Sequence, residues 1–184
     1  MEGIDLDKRA VESATNAGLK VHLGSIIEID LPNENYDLIV MTQTIEHLEK
    51  PDEVLRAVYK LLRKGGRLVI VTDNIDSIDF KFFKSRYWGG YHFPRHWNLF
   101  NRNSLTKLAE KTGFEVQAMT TIVSPVNWVY SIHNALVDRK RSSWLINCFT
   151  LKSTISLTAF TALDFVLQKL GKGALLQATL RKPL

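Results

Sequence analysis

Unbroken apolar runs and amphipathic segments alternate along the first half of the chain. Apolar residues fill positions 38–41 and 68–71 without interruption, and between 54 and 62 they recur at helical spacing. An unbroken run is typical of a strand buried on both faces of a parallel sheet. The helical spacing, with Pro51 at its start and the glycines of 64–66 at its end, predicts an amphipathic helix between the two strands.

The same alternation occurs nearer the start of the chain. Residues 1–6 predict a short strand, and Asp7 is well placed to cap a helix that Gly18 ends. A second short strand is predicted over 19–24. Strands and helices joined by short loops indicate an α/β fold with a mostly parallel sheet.

The second half of the chain is less regular. The segment 75–100 is aromatic, charged and rich in turn-forming residues, and Asn103 is predicted to cap the helix that follows it. Residues 114–123 and 174–180 are predicted to pair as antiparallel strands at a sheet edge. The apolar stretch 125–170 is predicted to be helical.

Composition narrows the class of protein. The net charge of +5 over 184 residues would suit an acidic partner, but aromatic and basic residues are interleaved only near 80–100, so nucleic-acid binding is disfavoured. The single cysteine, Cys148, rules out an internal disulfide and suits a cytoplasmic protein. No Cys/His cluster has zinc spacing, so no metal site is predicted.

The apolar stretch 125–170 raises the question whether this part of the chain spans a membrane. Its uncharged run between Lys152 and Asp164 is too short to span a bilayer, which needs roughly 20 apolar residues. No transmembrane segment is therefore predicted, and a packed helix pair is favoured. Shallow contact with a membrane surface remains an open alternative.

Polar residues follow the predicted strands of the first half, where an open α/β sheet binds its ligands. The carboxylate of Asp5 could accept two hydrogen bonds from the vicinal hydroxyls of a ribose; alternatively, Asp5 or Asp7 only caps the helix. In the corner after the 38–41 run, Glu46 is expected to bond to the loop backbone. His47 could serve as a base or simply pack on the sheet.

Several stretches together resemble class I S-adenosylmethionine-dependent methyltransferases. They are "GIDLDKRAVESA", "YDLIVMTQTIEHLEKPDEVL" and "LLRKGGRLVIVTDN", and the stretches "HFPRHWNLFNRNSLTKLAEKTGF" and "GKG…ATLRKP" are similar to one broad subgroup. That subgroup acts on small molecules, quinone precursors, lipids and sugars. The resemblance implies a Rossmann-like methyltransferase sheet, mostly parallel with an antiparallel edge, and S-adenosylmethionine as the cofactor.

The resemblance also implies roles for individual residues on the cofactor side. Asp5 would hold the ribose hydroxyls, Leu6 and Ile26 would flank the adenine, and Ser25 stands where the family often has an aspartate. Thr42 and Gln43 would line the methionine end, and His47 would lie near the mouth of the site.

One part of the family pattern is absent from the sequence. The family's first strand and the glycine-rich loop after it would precede Asp5, and no other glycine cluster follows a strand into a helix. A strand and helix of roughly 30 residues or more would supply them. We therefore expect an N-terminally truncated sheet in which two strand edges are left unpaired, unless the neighbouring strands close up on each other.

The segment "RYWGGYHFPRHWNLF" combines aromatic rings, histidines and arginines, as ligand-binding lids often do. Arg86 and Arg95 could bind a carboxylate or phosphate of the substrate, with Trp88 beside them, and His92 or His96 could accept a proton from an attacking hydroxyl. The alternative is an aromatic cluster that only closes the pocket.

The predicted organisation is a single domain, 1–184. Residues 1–74 would form a partial cofactor-binding core, 75–102 a substrate-side lid, and 103–184 the C-terminal helices and edge strands. The predicted function is methyl transfer to oxygen or carbon of a small-molecule or lipid-like acceptor by a truncated methyltransferase. The alternative is a non-catalytic remnant that binds a partner. A nicotinamide enzyme is disfavoured because no Tyr-x-x-x-Lys motif is evident.

Overall fold

Two separate β-sheets and seven α-helices make up the part of the chain that the computed structural model describes, residues 1–91 and 95–184. The strands are β1 (Gly3–Asp5), β2 (Val21–Leu23), β3 (Tyr36–Thr42), β4 (Leu62–Asp73), β5 (Glu115–Ile122) and β6 (Leu175–Arg181). The helices are α1 (Lys8–Asn16), α2 (Pro51–Leu61), α3 (Ile78–Phe83), α4 (Arg102–Lys111), α5 (Val126–Asp138), α6 (Ser143–Asn147) and α7 (Thr154–Lys169). Short 3₁₀ turns cover Ile45–His47 and Gly89–Tyr91.

The larger sheet has the strand order β3-β4-β6-β5. Strand β3 is parallel to β4, whereas β6 is antiparallel to both β4 and β5. The main core includes Leu68 and Ile70 of β4, Leu55 and Val58 of α2, and Leu105 of α4, all of them fully buried. The predicted α/β fold with an antiparallel edge is therefore confirmed.

The smaller sheet consists of β1 and β2, which pair in parallel from Gly3↔Val21 to Asp5↔Leu23. Within the described residues, β1 pairs only with β2 and β3 only with β4, so one edge of each strand has no partner. The expectation of two unpaired edges is met, and the two strands do not close up on each other.

The expectation that the 38–41 run is buried on both faces is wrong for one face. Leu38 and Val40 are 55% and 59% exposed, whereas Met41 is buried and Ile39 packs against the core. Alternate residues of a strand point to opposite faces. The face that carries Leu38 and Val40 is therefore left without cover by the described helices.

Glu2 links the two sheets. Its carboxylate accepts hydrogen bonds from His22 Nε2 at 2.8 Å and from the hydroxyl of Tyr36, and it pairs with Lys20 Nζ at 2.6 Å. Hydrogen bonds from His22, Lys20 and Tyr36 lower the pKa of Glu2 to about 2. Because Tyr36 begins β3 while the other residues flank or belong to the smaller sheet, this carboxylate bridges the open edges.

Helix boundaries agree with the sequence at the start of the chain and differ further on. Asp7 caps α1 by accepting a hydrogen bond from Arg9 N at 2.9 Å. Helix α2 ends at Leu61, and the glycines of 64–66 lie inside β4 instead of ending the helix. Asn101, not Asn103, caps α4, because its side chain accepts from Ser104 N while Ser104 Oγ accepts from Asn101 N.

The loop after α3 is packed tightly against α5. Trp88 is 1% exposed and donates its indole N–H to Asp79 Oδ2 at 2.7 Å, and Gly89 N donates to Ser131 Oγ at 2.8 Å. A Cβ atom on Gly89 would lie 2.7 Å from the carbonyl oxygen of Asn127. Only glycine allows the two backbones to approach this closely.

We therefore expect Gly89→Ala to lower the free energy of unfolding by about 1–3 kcal/mol, because the added methyl group must displace backbone of α5. Chemical denaturation of the purified variant measures this. Gly3→Ala is the matched control, since its Cβ would meet nothing nearer than the Val21 methyls at 3.8 Å. Equal stability of the two variants would show that the loop is not packed on α5 in this way.

Candidate functional site

Backbone hydrogen bonds hold the corner after β3 (residues 45–48) against a second segment (residues 95–98). Trp97 N and Asn98 N both donate to the carbonyl oxygen of Glu46, at 2.8 Å and 3.1 Å. The Asn98 side-chain amide also donates to the carbonyl of Leu48 at 2.6 Å. Residues far apart in the sequence are thus brought together at the carboxyl ends of β3 and β4.

Two histidines meet at this junction. His47 Nδ1 lies 3.0 Å from the carbonyl oxygen of Arg95, and His96 Nδ1 lies 2.6 Å from that of Gly90. Because a carbonyl oxygen only accepts, each Nδ1 carries the proton and donates it. The rings are edge to face, with centroids 4.6 Å apart. The His47 side chain is 39% exposed and that of His96 only 5%.

Two buried carboxylates face the histidines. Glu46 Oε2 accepts a hydrogen bond from the Thr72 hydroxyl at 2.7 Å, whereas Oε1 has no hydrogen-bond partner among the described residues and lies 4.0 Å from His47 Nε2. Asp73 Oδ1 accepts from the Asn127 amide at 2.7 Å, and Asp73 Oδ2 lies 3.5 Å from His96 Nδ1. The Glu46 carboxylate therefore bonds to a neighbouring strand, and not to the loop backbone as the sequence suggested.

Burial raises the pKa of Asp73 to about 7. The hydrogen bond from Asn127 opposes this rise, and the nearby carboxylates of Glu46 and Asp79 add to it. Such shifts are frequent at functional sites because water is excluded there and charges are close together. Asp73 can therefore change its protonation state near neutral pH.

The same cluster offers ligands for a cation. Glu46, His47 and His96 each present one ligand atom, and these atoms lie within 4.8 Å of one another. Imidazole nitrogen and carboxylate oxygen are common ligands of divalent transition metals. The sequence predicts no metal site, because these ligands come from two separate segments with no recognisable spacing.

A second group of predicted site residues lies at the carboxyl ends of β1 and β2. Asp5 and Leu6 are exposed, and Asp5 Oδ1 accepts a hydrogen bond from Asp7 N at 2.8 Å. Ser25 is half-buried, and Ile26 packs against the main core instead of standing free. Since Asp7 performs the helix cap, the second carboxylate oxygen of Asp5 is available at the surface.

Thr42 and Gln43 lie at the end of β3, directly before the corner. Both side chains are exposed, and Gln43 has a φ of 49°, in the left-handed region. Its N–H donates to the carbonyl of Val71 at 2.8 Å, which holds this conformation in place. A residue with a side chain in this region is uncommon and is found more often at functional sites.

Residues 1–119 match the family of methyltransferase domains. The chain belongs to this family. A probable S-adenosylmethionine-dependent methyltransferase of Mycolicibacterium smegmatis is 30% identical over 117 residues, which are 62% of this chain and 43% of that protein. An uncharacterized protein of Methanocaldococcus jannaschii is 21% identical over 128 residues, 69% of this chain and 62% of that protein. The methyltransferase chain thus spans less than two thirds of the length of these two relatives.

The fold also agrees with a solved methyltransferase. The crystal structure of a possible histamine N-methyltransferase from Thermotoga maritima matches 98% of this chain and 72% of that one, with a TM-score of 0.64 and 19% identity. The class I methyltransferase fold with its Rossmann-like sheet is confirmed, and S-adenosylmethionine is the cofactor of this family.

The residues present fit S-adenosylmethionine in part. On the adenosine side, Asp5 offers an exposed carboxylate and Leu6 an apolar side chain that is 73% exposed at a strand end. On the methionine side, Thr42 and Gln43 are exposed beside the histidine cluster. Within the described residues, no glycine-rich turn lies between the two sheets to cradle the methionine moiety.

The predicted substrate-binding residues lie in surroundings that differ from one residue to the next. Trp88 is buried against Asp79, and Arg86 pairs with Asp138 Oδ1 at 2.7 Å on α5. Arg95 is exposed, and its carbonyl holds His47. His92 lies outside the described residues. Substrate contacts for all of these stay a prediction.

Asp73 and Asn127 are the site residues that the sequence did not single out. In the sequence Asp73 is only one of several polar residues that follow predicted strands, and nothing ties Asn127 of α5 to it. A usable signal would have been the two acids, Glu46 and Asp73, after adjacent parallel strands. Two carboxylates placed so close together are expected to shift each other's pKa.

The raised pKa of Asp73 predicts a stability that falls as pH rises from about 4 to about 7, because only the unfolded chain releases the proton in that window. Asp73→Asn keeps an acceptor for Asn127 and should reduce this fall, by up to about 1.4 kcal/mol per pH unit. Urea unfolding at pH 5 and at pH 8 measures the slope. The exposed Asp30→Asn variant should retain the wild-type slope, and an unchanged slope in Asp73→Asn would contradict the assignment.

Proposed function

We propose that the domain belongs to an S-adenosylmethionine-dependent methyltransferase that acts on oxygen or carbon of a small-molecule or lipid-like acceptor. The observation that carries the proposal is the cluster of His47, His96, Glu46 and Asp73 beside Thr42 and Gln43. The cluster places histidine and carboxylate side chains, which can accept protons, at the strand ends where this fold binds its ligands.

His47 is the best-placed base in this cluster. Its Nδ1 donates to the Arg95 carbonyl, so Nε2 carries the lone pair, and the ring is partly exposed where an acceptor can reach it. A proton taken up at Nε2 would give an imidazolium 4.0 Å from Glu46 Oε1, which has no other partner in the described part of the chain. The buried carboxylate would stabilise that charge.

S-adenosylmethionine, when bound, supplies an electrophilic methyl group on its sulfonium. The protein's contribution is to align the acceptor atom and to exclude water. The hydrogen-bonded contact between residues 45–48 and 95–98 closes one side of the histidine cluster. Asp5 and Leu6 would hold the adenosine, with Ser25 and Ile26 nearby, and Thr42 and Gln43 would meet the methionine end.

Two features support an oxygen or carbon acceptor. The strand end carries Thr72-Asp73-Asn74-Ile75, and no Asn-Pro-Pro-aromatic motif for amino groups is present in the sequence. A histidine base is needed when the acceptor is a hydroxyl, whose proton must leave during transfer. A hydroxyl acceptor would therefore lose its proton to the base that His47 provides.

The unpaired edges of β1 and β3 favour a second function, a non-catalytic methyltransferase-like domain that binds a partner. Open strand edges are sites at which another chain can pair. Cofactor binding separates this alternative from the enzyme, because only the enzyme needs the adenosine side of the site.

Isothermal titration of the chain with S-adenosylmethionine should give micromolar binding. Asp5→Ala should weaken it at least about tenfold, because hydrogen bonds from the ribose hydroxyls to a carboxylate are lost. Asp30→Ala, an exposed aspartate away from the strand ends, is the control. Absence of binding by the wild-type chain would favour the non-catalytic alternative, and equal binding by Asp5→Ala would remove the ribose role.

His47→Gln should lower methyl transfer to hydroxyl acceptors by about 10²–10⁴-fold while changing the affinity for S-adenosylmethionine little. Release of S-adenosylhomocysteine with a panel of phenols and hydroxylated lipids measures the rate. His133→Gln, on α5 with its ring bonded to the Phe149 carbonyl, is the matched control. Wild-type rates in His47→Gln would exclude the base role.

A further inference from the structure

Helix α7 turns two of its polar side chains, Ser156 and Asp164, towards the protein. Asp164 is fully buried, and Asp164 Oδ2 accepts hydrogen bonds from Ser124 N at 2.7 Å and Ala174 N at 3.2 Å. Ser156 is also buried, and Phe160 stacks on Trp128 with ring centroids 5.6 Å apart. These contacts fix the rotation of the helix about its axis.

The opposite side of α7 forms an exposed apolar stripe, which we call the outer stripe. Its positions are spaced by three and four residues, as on one face of a helix. Its members are Ile155, Ala159, Ala162, Val166 and Leu170, all exposed. Ile155 is 83% exposed, Val166 56% and Leu170 70%. A soluble helix normally buries such a stripe, so its exposure points to an apolar surface that covers it.

The apolar surface continues beyond α7. Trp144 of α6 is 75% exposed, and it lines an open groove of about 890 Å³ together with Leu151, Lys152 and Ile155. An exposed indole with an apolar body and a polar N–H suits the boundary between water and lipid. The groove and the outer stripe therefore share one apolar surface.

Basic residues predominate along this part of the chain, and the exposed Asp138 directly before it pairs with Arg86. Between residues 139 and 172 the basic residues are Arg139, Lys140, Arg141, Lys152, Lys169 and Lys172, and the only acidic residue is the buried Asp164. The basic run 139–141 is exposed directly before α6, and Lys152 lines the groove. Lys169 lies over the ring of Phe165, 4.6 Å from its centroid. Cations thus flank the apolar surface at both ends of α7.

We propose that the outer stripe and α6 dock on the surface of an anionic lipid bilayer. Long basic side chains can lay their apolar stems on such a surface and keep their charges among anionic headgroups. A second copy of the chain suits this face less well, because pairing would bring the same cations together while the acid that adjoins the basic run, Asp138, already pairs with Arg86. No helix within residues 1–91 and 95–184 is long and apolar enough to cross a membrane, so the contact would be peripheral.

Co-sedimentation with lipid vesicles tests the proposal without any need for cofactor. The chain should pellet with vesicles of phosphatidylcholine mixed with phosphatidylglycerol, and much less with phosphatidylcholine alone. Raising the salt to about 0.5 M should weaken the binding, because headgroup charges are then screened. A chain that stays in the supernatant with the anionic vesicles would overturn the proposal.

Matched variants separate the apolar and the charged contributions. Ile155→Ser with Val166→Ser, and separately charge reversal at Arg139, Lys140 and Arg141, should each lower vesicle binding at least about tenfold. Leu38→Ser with Val40→Ser alters equally exposed apolar residues on β3 and should leave binding unchanged. Circular dichroism confirms that each variant is folded.

Equal binding by all variants would overturn the proposal. So would a dimer of the wild-type chain, seen by light scattering, that the Ile155/Val166 variant abolishes.

Discussion

The contact between residues 45–48 and 95–98 determines whether the site exists. One carbonyl oxygen, that of Glu46, receives two backbone N–H groups from the later segment, and the carbonyl of Arg95 in turn orients the ring of His47. The Glu46 carbonyl belongs to the turn after β3, where Ile45 and Glu46 are buried, so its pairing also satisfies a polar atom next to the core. Removing this contact would separate the two histidines and release the ring of His47 from the Arg95 carbonyl.

Local signals in the sequence predicted the elements well where one residue decides the structure. Asp7 and Pro51 begin their helices as expected, and the apolar runs became β3 and β4. The cap of α4 was misplaced because Asn101 and Asn103 are both good caps; the reciprocal bond with Ser104 selects the first. The apolar run at 38–41 showed that a strand was present, but it could not show whether a helix covers each of its faces.

The candidate site was predictable at the strand ends and not beyond them. The open-sheet rule placed Asp5 and His47 at one edge of the fold, and the family resemblance added Thr42 and Gln43. It could not place Asp73 beside His96, because that approach depends on the path of 75–100, which carries no regular period. The role of Asn127 is still harder to predict from the sequence, because this residue reaches Asp73 only where α5 packs over the end of β4. Glu2 is a similar case, because its partners Lys20, His22 and Tyr36 lie on two separate segments that only the tertiary structure brings to it.

Asp164 has a consequence for how uniquely the chain folds. Apolar residues lie on both sides of α7, the outer stripe on one side and Phe160 on the other, so burial alone does not distinguish the observed packing from one rotated by roughly half a turn. A carboxylate that bonds to two backbone N–H groups in only one orientation makes that rotated packing unfavourable. Buried polar groups can select one arrangement in this way even when they add little net stability. The rotation of α7 about its axis is therefore set by one acidic side chain together with the stacking of Phe160 on Trp128.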